Sequence, residues 1–273
     1  MGKDRKIDTF VVKHNSLIEG RYKLSLPQMR MFLLMIAKVR REDDITKPYR
    51  IYLSDLIKLE EQDKYISLKN EYNTCFKITD ELQIQLIKLK EDGIVKSVHL
   101  VGPVFYHENK GYFDYWIHED IKDLLLNLKT RFTCYDIRNI LPAKSVYTIR
   151  VYELLKQFEG LKERNIKLDD LKLWLGIDSK YKLYGDIKRH ILKVSQKELK
   201  KYSDIYFEFK EIKDGKKVEG IHFEIKKQKQ KRLFDTEENA KNDSQYLTFE
   251  QVEAQQKALD EQGPMPYSEW AKV

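Results

Sequence analysis

Apolar and polar positions follow the same order twice along this chain of 273 residues. Strongly apolar stretches at residues 26–39 and 143–158 predict two helices. Pro27 and Pro142 lie near their starts, where a missing amide hydrogen costs little. Each is followed by a short alternating segment. Ile51-Tyr52-Leu53-Ser54-Asp55-Leu56, ending at Lys64-Tyr65, returns as Ile166-Lys167-Leu168-Asp169-Asp170-Leu171, ending at Lys180-Tyr181, with one inserted residue. In both copies a strand meets a Ser or Asp able to cap a following short helix. Longer helices are predicted over residues 68–90 and 183–202, each followed by a hairpin. The first hairpin spans 97–117 and turns at Glu108-Asn109-Lys110-Gly111. The second alternates Ile205, Phe207 and Phe209, turns at Asp214-Gly215 and returns through Ile221, Phe223 and Ile225.

Helix, strand, helix, helix and hairpin is the order of a winged helix, a helix-turn-helix carrying a β-hairpin wing. The expected fold is therefore α+β, with two tandem winged-helix domains and a polar C-terminal tail. The first domain is read as 1–128 and the second as 129–228. They meet near 127–131 without a Gly/Ser linker, which implies close coupling. Residues 229–273 turn polar and are read as a disordered tail, with one helix start at Thr248 and Gln251 in capping-box spacing.

Charge changes the picture from fold to partner. The formal net charge is +7 and the sequence pI about 9.0, a bias towards a polyanion. Projected at ~100° per residue, the helix 183–202 gathers Leu183, Tyr184, Ile187, Ile191 and Val194 on one face. Lys182, Arg189, Lys193, Lys197 and Lys200 gather within an arc of ~80° on another, interrupted only by Asp186. An ordinary solvated face mixes signs; this one is nearly all positive and suits a helix that enters the major groove. Lys188 joins the candidate DNA contacts, as do Lys213, Lys216 and Lys217 at the wing tip, although lysines on a strand edge can also serve only to block aggregation. In the first copy Lys69 and Lys77 are candidates for auxiliary contacts. There Lys69, Lys77, Lys88 and Lys90 are diluted by Glu71, Asp80 and Glu81, so the second domain is expected to be the principal reader.

Enzymatic signatures are missing from the sequence. The six histidines form no His-x-His pair, and no phosphate loop, G-x-S-x-G elbow or H-E-x-x-H is present. The seventeen tyrosines read as packing residues rather than nucleophiles. Cys75 and Cys134 have no Cys or His neighbour at metal spacing. No catalytic residue, metal or cofactor is expected. The polar start and the shortness of the longest apolar run, residues 31–37, against the ~20 residues of a membrane helix lead to the expectation of a soluble bacterial cytoplasmic protein without membrane contact.

The run Ser145-Val146-Tyr147-Thr148-Ile149-Arg150-Val151-Tyr152-Glu153-Leu154-Leu155-Lys156-Gln157-Phe158 resembles the signature helix of the initiator replication proteins of iteron plasmids. The likeness continues through Asp170-Leu171, Leu175-Gly176, Tyr181, Asp186-Ile187-Lys188-Arg189, Ile191-Leu192, Gly215-Lys216-Lys217-Val218 and Ile221-His222-Phe223. Upstream, Val12-Lys13-His14-Asn15-Ser16-Leu17-Ile18 is similar to the family's opening segment. The resemblance spans roughly residues 7–227. It implies binding to direct repeats of double-stranded DNA at a plasmid origin, origin opening, recruitment of host replicative helicase and chromosomal initiator, and a monomer–dimer equilibrium whose dimer represses the protein's own gene. The tail departs from the family. Within it Gln230-Lys231-Arg232-Leu233-Phe234 resembles the Q-x-x-L-F peptide that docks on the sliding clamp, while Leu233 and Phe234 could instead finish the second domain's core. The rival readings are a winged-helix repressor, a DNA-scaffolding or partition protein, and a tyrosine nuclease.

Overall fold

Ser25 begins the first long helix by a capping box: its hydroxyl accepts from the Gln28 amide, and the Gln28 side chain accepts from the Ser25 amide. The computed structural model describes residues 8–40, 42–56, 71–91, 93–107, 110–126 and 128–228. The chain opens with β1 (Phe10–His14) and α1 (Asn15–Glu19), then α2 (Leu26–Ile36), which buries Met29, Phe32, Leu33 and Met35 completely. β2 (Tyr49–Tyr52) runs into a helical turn at 53–56. After α3 (Glu71–Gln83) come β3 (Leu86–Glu91), β4 (Ile94–His99), β5 (Val101–His107) and β6 (Tyr112–Ile117). β7 (Phe132–Asp136) leads to α4 (Val146–Lys156), β8 (Glu163–Lys167) and α5 (Leu168–Trp174). One helical rod follows, made of α6 (Tyr184–Ile187), a π turn (Lys188–Leu192) and α7 (Lys193–Tyr202). β9 (Ile205–Asp214) and β10 (Lys217–Lys227) complete the described chain.

The repeat is structural as well as sequential. One sheet has the order β2-β6-β5 and the other β8-β10-β9, all antiparallel. In each, the strand after the first helix pairs with the last strand of the hairpin. Ile51 stands opposite Phe113 in the first sheet, and Ile166 opposite Ile221 in the second. These are two winged helices within an α+β fold.

Several expected boundaries move. The helix read over 68–90 ends at Gln83. Residues 86–90 instead alternate, Ile87 and Leu89 buried between exposed Leu86, Lys88 and Lys90, so period two overrides helix propensity there. β3 pairs with β4 in an extra hairpin turning at Gly93 (φ +76°), and the wing strand begins at Val101 rather than 97. The expected carboxylate cap of α5 is not formed. Lys167 occupies the cap without a side-chain bond, and Asp169 and Asp170 sit in the first turn, where negative charge suits the helix dipole. Pro142 precedes the Ser145 cap of α4 by three residues. Lys64, Tyr65, Lys69, Thr248 and Gln251 lie outside the described residues.

One apolar core runs through both units, and a polar seam fastens them. β1 pairs with β7 in full register, Phe10 opposite Asp136 and His14 opposite Phe132, across the junction read at 128/129. Lys13 and Arg150 both pair with Glu153; all three are buried, and Tyr135 donates its hydroxyl to the same carboxylate. Arg150 also donates to the carbonyls of Ile18, Gly20 and Trp174 and to the Tyr22 hydroxyl. Arg164 bonds Glu19 at 2.5 Å, and Arg21 holds Asp178 through one nitrogen at 2.8 and 3.0 Å. Buried charge is tolerated only with such partners, and removing one leaves the others uncompensated.

Candidate nucleic-acid interface

The rod 184–202 is held against its domain by Ile187, Ile191, Leu192, Ser195, Leu199 and Tyr202, all buried. An ideal helix carrying Ile187 and Ile191 inward would bring 194 and 198 inward next; the structure brings 195 and 199. The π turn at 188–192 inserts the extra residue that advances the face. Leu183, expected on the apolar face, is the cap residue and is 69% exposed, and Val194 is only half-buried. The same advance leaves Arg189, Lys193, Lys197 and Lys200 exposed on the outward side.

These cations are not equivalent. Lys193 and Lys197 face solvent with no acidic partner among the described residues. Lys200 lies 5.5 Å above the Tyr206 ring. Arg189 donates through Nη2 to Asp186 at 2.9 Å and through Nε to His190 at 3.1 Å. Lys182 is exposed but precedes the helix.

Glu211 on β9 ties the wing to the rod. Its carboxylate receives Lys188 Nζ at 2.7 Å and lies 2.9 Å from Lys213 Nζ. Those two hydrogen bonds depress its pKa to about 2. Lys188 and Lys213, both expected to meet DNA, are thus already partnered. Gly215 (φ +56°) makes the tight wing turn, Lys216 stands exposed beside it, and Lys217 lies 3.6 Å from Glu219.

In the first unit Lys77 is exposed on α3, whereas Lys88 and Lys90 sit on β3 and belong to no groove-facing helix. Lys69 lies outside the described residues, as do Gln230, Leu233 and Phe234 of the clamp-like peptide.

Three features escaped the reading of the sequence. Tyr181 stacks on His190, ring centroids 6.2 Å apart, extending the surface beyond Arg189 towards Lys180 and Tyr147. The π turn left no sequence signal. The seam did leave one: Arg150 and Glu153 interrupt an apolar helix at i,i+3 spacing, which places charge on a buried face and demands partners elsewhere in the chain. No group of three metal-ligating side chains occurs among the described residues, and no described helix is long and apolar enough to cross a membrane.

Comparisons with known proteins agree with this architecture. Residues 10–156 match the family model described as "Initiator Replication protein, WH1", and residues 167–225 the one described as "Initiator Rep protein, WH2". A "Replication initiation protein" of Escherichia coli is 24% identical over 243 residues, covering 84% of this chain and 73% of its own length. Among solved structures, a Pi initiator protein in complex with iteron DNA superposes with a TM-score of 0.66 at 20% identity. That match covers 81% of this chain and 98% of the other.

Proposed function

Since the chain belongs to the family of initiator replication proteins, we propose that it initiates plasmid replication by binding direct repeats in double-stranded DNA at its origin. The observation that carries this reading is the outward face of the rod 184–202. Its cations lie opposite a fully buried face and beside a lysine-tipped wing. Lysines there displace counterions from phosphates, and Arg189 is the side chain suited to a guanine edge. The fold likeness to an initiator solved on iteron DNA supports the same reading.

In this reading residues 129–228 are the principal base reader and residues 1–128 supply auxiliary contacts, through Lys77 among the described residues. No bond-breaking step is required. Protomers lined up on adjacent repeats gain contacts that offset deformation of an A·T-rich segment. Self-association, recruitment of helicase and chromosomal initiator, autorepression and a bacterial cytoplasmic setting extend the reading on family kinship alone. The test is footprinting of the full-length chain on the DNA flanking its own gene. Protection of tandem repeats beside an A·T-rich stretch is expected. Protection of a single inverted repeat would make the protein a repressor, and nicking of supercoiled origin DNA would make it a nuclease.

A further inference from the structure

Beside the buried seam a cleft of about 260 Å³ opens between the two units. Its apolar floor is Met29 from α2, Val146 from α4 and Leu175 after α5, and none of its lining residues is acidic. Two lysines stand at its rim from opposite sides of the seam. Lys23 comes from the first unit, its Nζ 3.5 Å from Ser179 Oγ. Lys180 comes from the second, its Nζ 3.3 Å from the Tyr147 hydroxyl and over the Tyr147 and Tyr181 rings. The nearby Asp178 carboxylate is engaged by Arg21.

The third cation is inside. Arg150 is 3% exposed and lines the cleft. Both of its terminal nitrogens are committed to the seam, but its Nε–H has no partner among the described residues. That nitrogen is shielded from solvent, so Arg150 gives the cleft positive charge from beneath rather than a hydrogen bond. The contact between the units at the rim is close: at Gly176 (φ +63°) an added Cβ would lie 2.9 Å from Lys23 Cγ and 3.1 Å from the Tyr22 carbonyl oxygen. Cleft and rim therefore depend on the two units meeting as they do. An apolar cavity at a domain junction with a few convergent polar groups is the usual form of a small-molecule site.

We propose that this cleft binds an organic phosphate of nucleoside monophosphate size. The anionic group lies between Lys23 and Lys180 at the rim, and the less polar body rests against the partly exposed Val146 and Tyr147 side chains. Such a ligand comes either as a free nucleotide or as one nucleotide unit of a bound DNA strand. Because both units line the cleft, the ligand binds only their native arrangement and stabilises it by mass action.

The test uses the full-length chain with adenosine monophosphate and inorganic phosphate as probes, read by calorimetry and thermal melting. Adenosine monophosphate is expected to bind and raise Tm, and inorganic phosphate to bind more weakly for want of a body. Lys23 and Lys180 are both exposed. The double variant Lys23→Met, Lys180→Met should keep the unliganded Tm and lose affinity by about tenfold or more, the equivalent of one charge-assisted hydrogen bond. Displacement of the nucleotide by excess DNA selected from a random pool identifies a strand as the source; retention identifies a free nucleotide. Absence of binding, or equal binding by the double variant, overturns the proposal. A chain that recognises its repeats but not the nucleotide sinks the cleft alone, and one that binds the nucleotide but no DNA sinks the initiator reading alone.

Discussion

Arg189 reaches one turn back along its own helix and donates Nη2 to Asp186 Oδ1 at 2.9 Å, with 70% of the arginine side chain in solvent. An exposed pair of this kind is worth about 0–1 kcal/mol. A bidentate guanine contact contributes about 1–3 kcal/mol of discrimination. On the proposed function, guanine is expected to outcompete Asp186, and a base offering only one acceptor is not. Arg189→Ala should weaken repeat binding and relax preference at one base pair. Asp186→Asn should instead raise affinity for random DNA and narrow the gap to the repeat. Titrations against repeat and random duplexes check both, and an unchanged specificity ratio in Asp186→Asn would falsify the coupling.

Lys193 and Lys197 should behave differently because neither has an acidic partner among the described residues to give up on binding. Each alanine substitution is expected to weaken repeat and random DNA equally. Each should also flatten the slope of log affinity against log salt by ~0.9. If a substitution acts on the repeat alone, that lysine reads a base.

Glu211→Gln should tighten binding to random DNA, since it releases Lys188 and Lys213 to phosphates. The salt slope is expected to steepen by as much as ~1.8 for two new contacts. The carboxylate's folded pKa, about 2, lies below its unfolded value near ~4.3. The wing–rod tie is thus fully present above pH ~4.3 and is lost as pH falls from there towards 2. A salt slope equal to that of the unaltered protein would show that these lysines stay clear of DNA.

At the seam, burial alone would raise the pKa of Glu153, but Lys13 and Arg150 outweigh it and hold the carboxyl below its usual range. Its contribution is present above the unfolded value and is lost on acidification through the lower folded value. Glu153→Gln leaves two buried cations short of a counter-charge and should cost about 3–5 kcal/mol, visible in denaturant melts. A fragment of residues 132–228 loses Lys13 and the whole partner of β7, and should melt well below the full chain. A melt at the same midpoint would mean that the seam is not stabilising.

The double winged helix could be read in the sequence because its elements carry strong local signals. Examples are Pro27 near the start of the first long helix, the alternation of Ile205, Phe207 and Phe209, and the glycine turn at 215. Residues 86–90 misled because Ile87-Lys88-Leu89-Lys90 suits either period over so short a span, and pairing with β4 decides it. The cationic face was legible from spacing alone, but its internal pairing was not. Glu211 is distant in sequence from Lys188, and the side chains meet only because the wing folds beside the rod. The cleft was beyond reach for the same reason: Lys23 and Lys180 are 157 positions apart.

The pairing of β1 with β7 sets an order on synthesis. The first strand leaves the ribosome more than a hundred residues before its partner, a wait on the order of 6–25 s at translation rates of 5–20 residues per second. Throughout that interval Phe10, Val11 and Val12 offer an open edge, and Lys13 has no Glu153 to meet. The edge of the nascent first unit stays uncapped until β7 has emerged, and Lys13 stays unpaired until α4 follows. Neighbouring nascent chains on one message would carry the same edge at the same time.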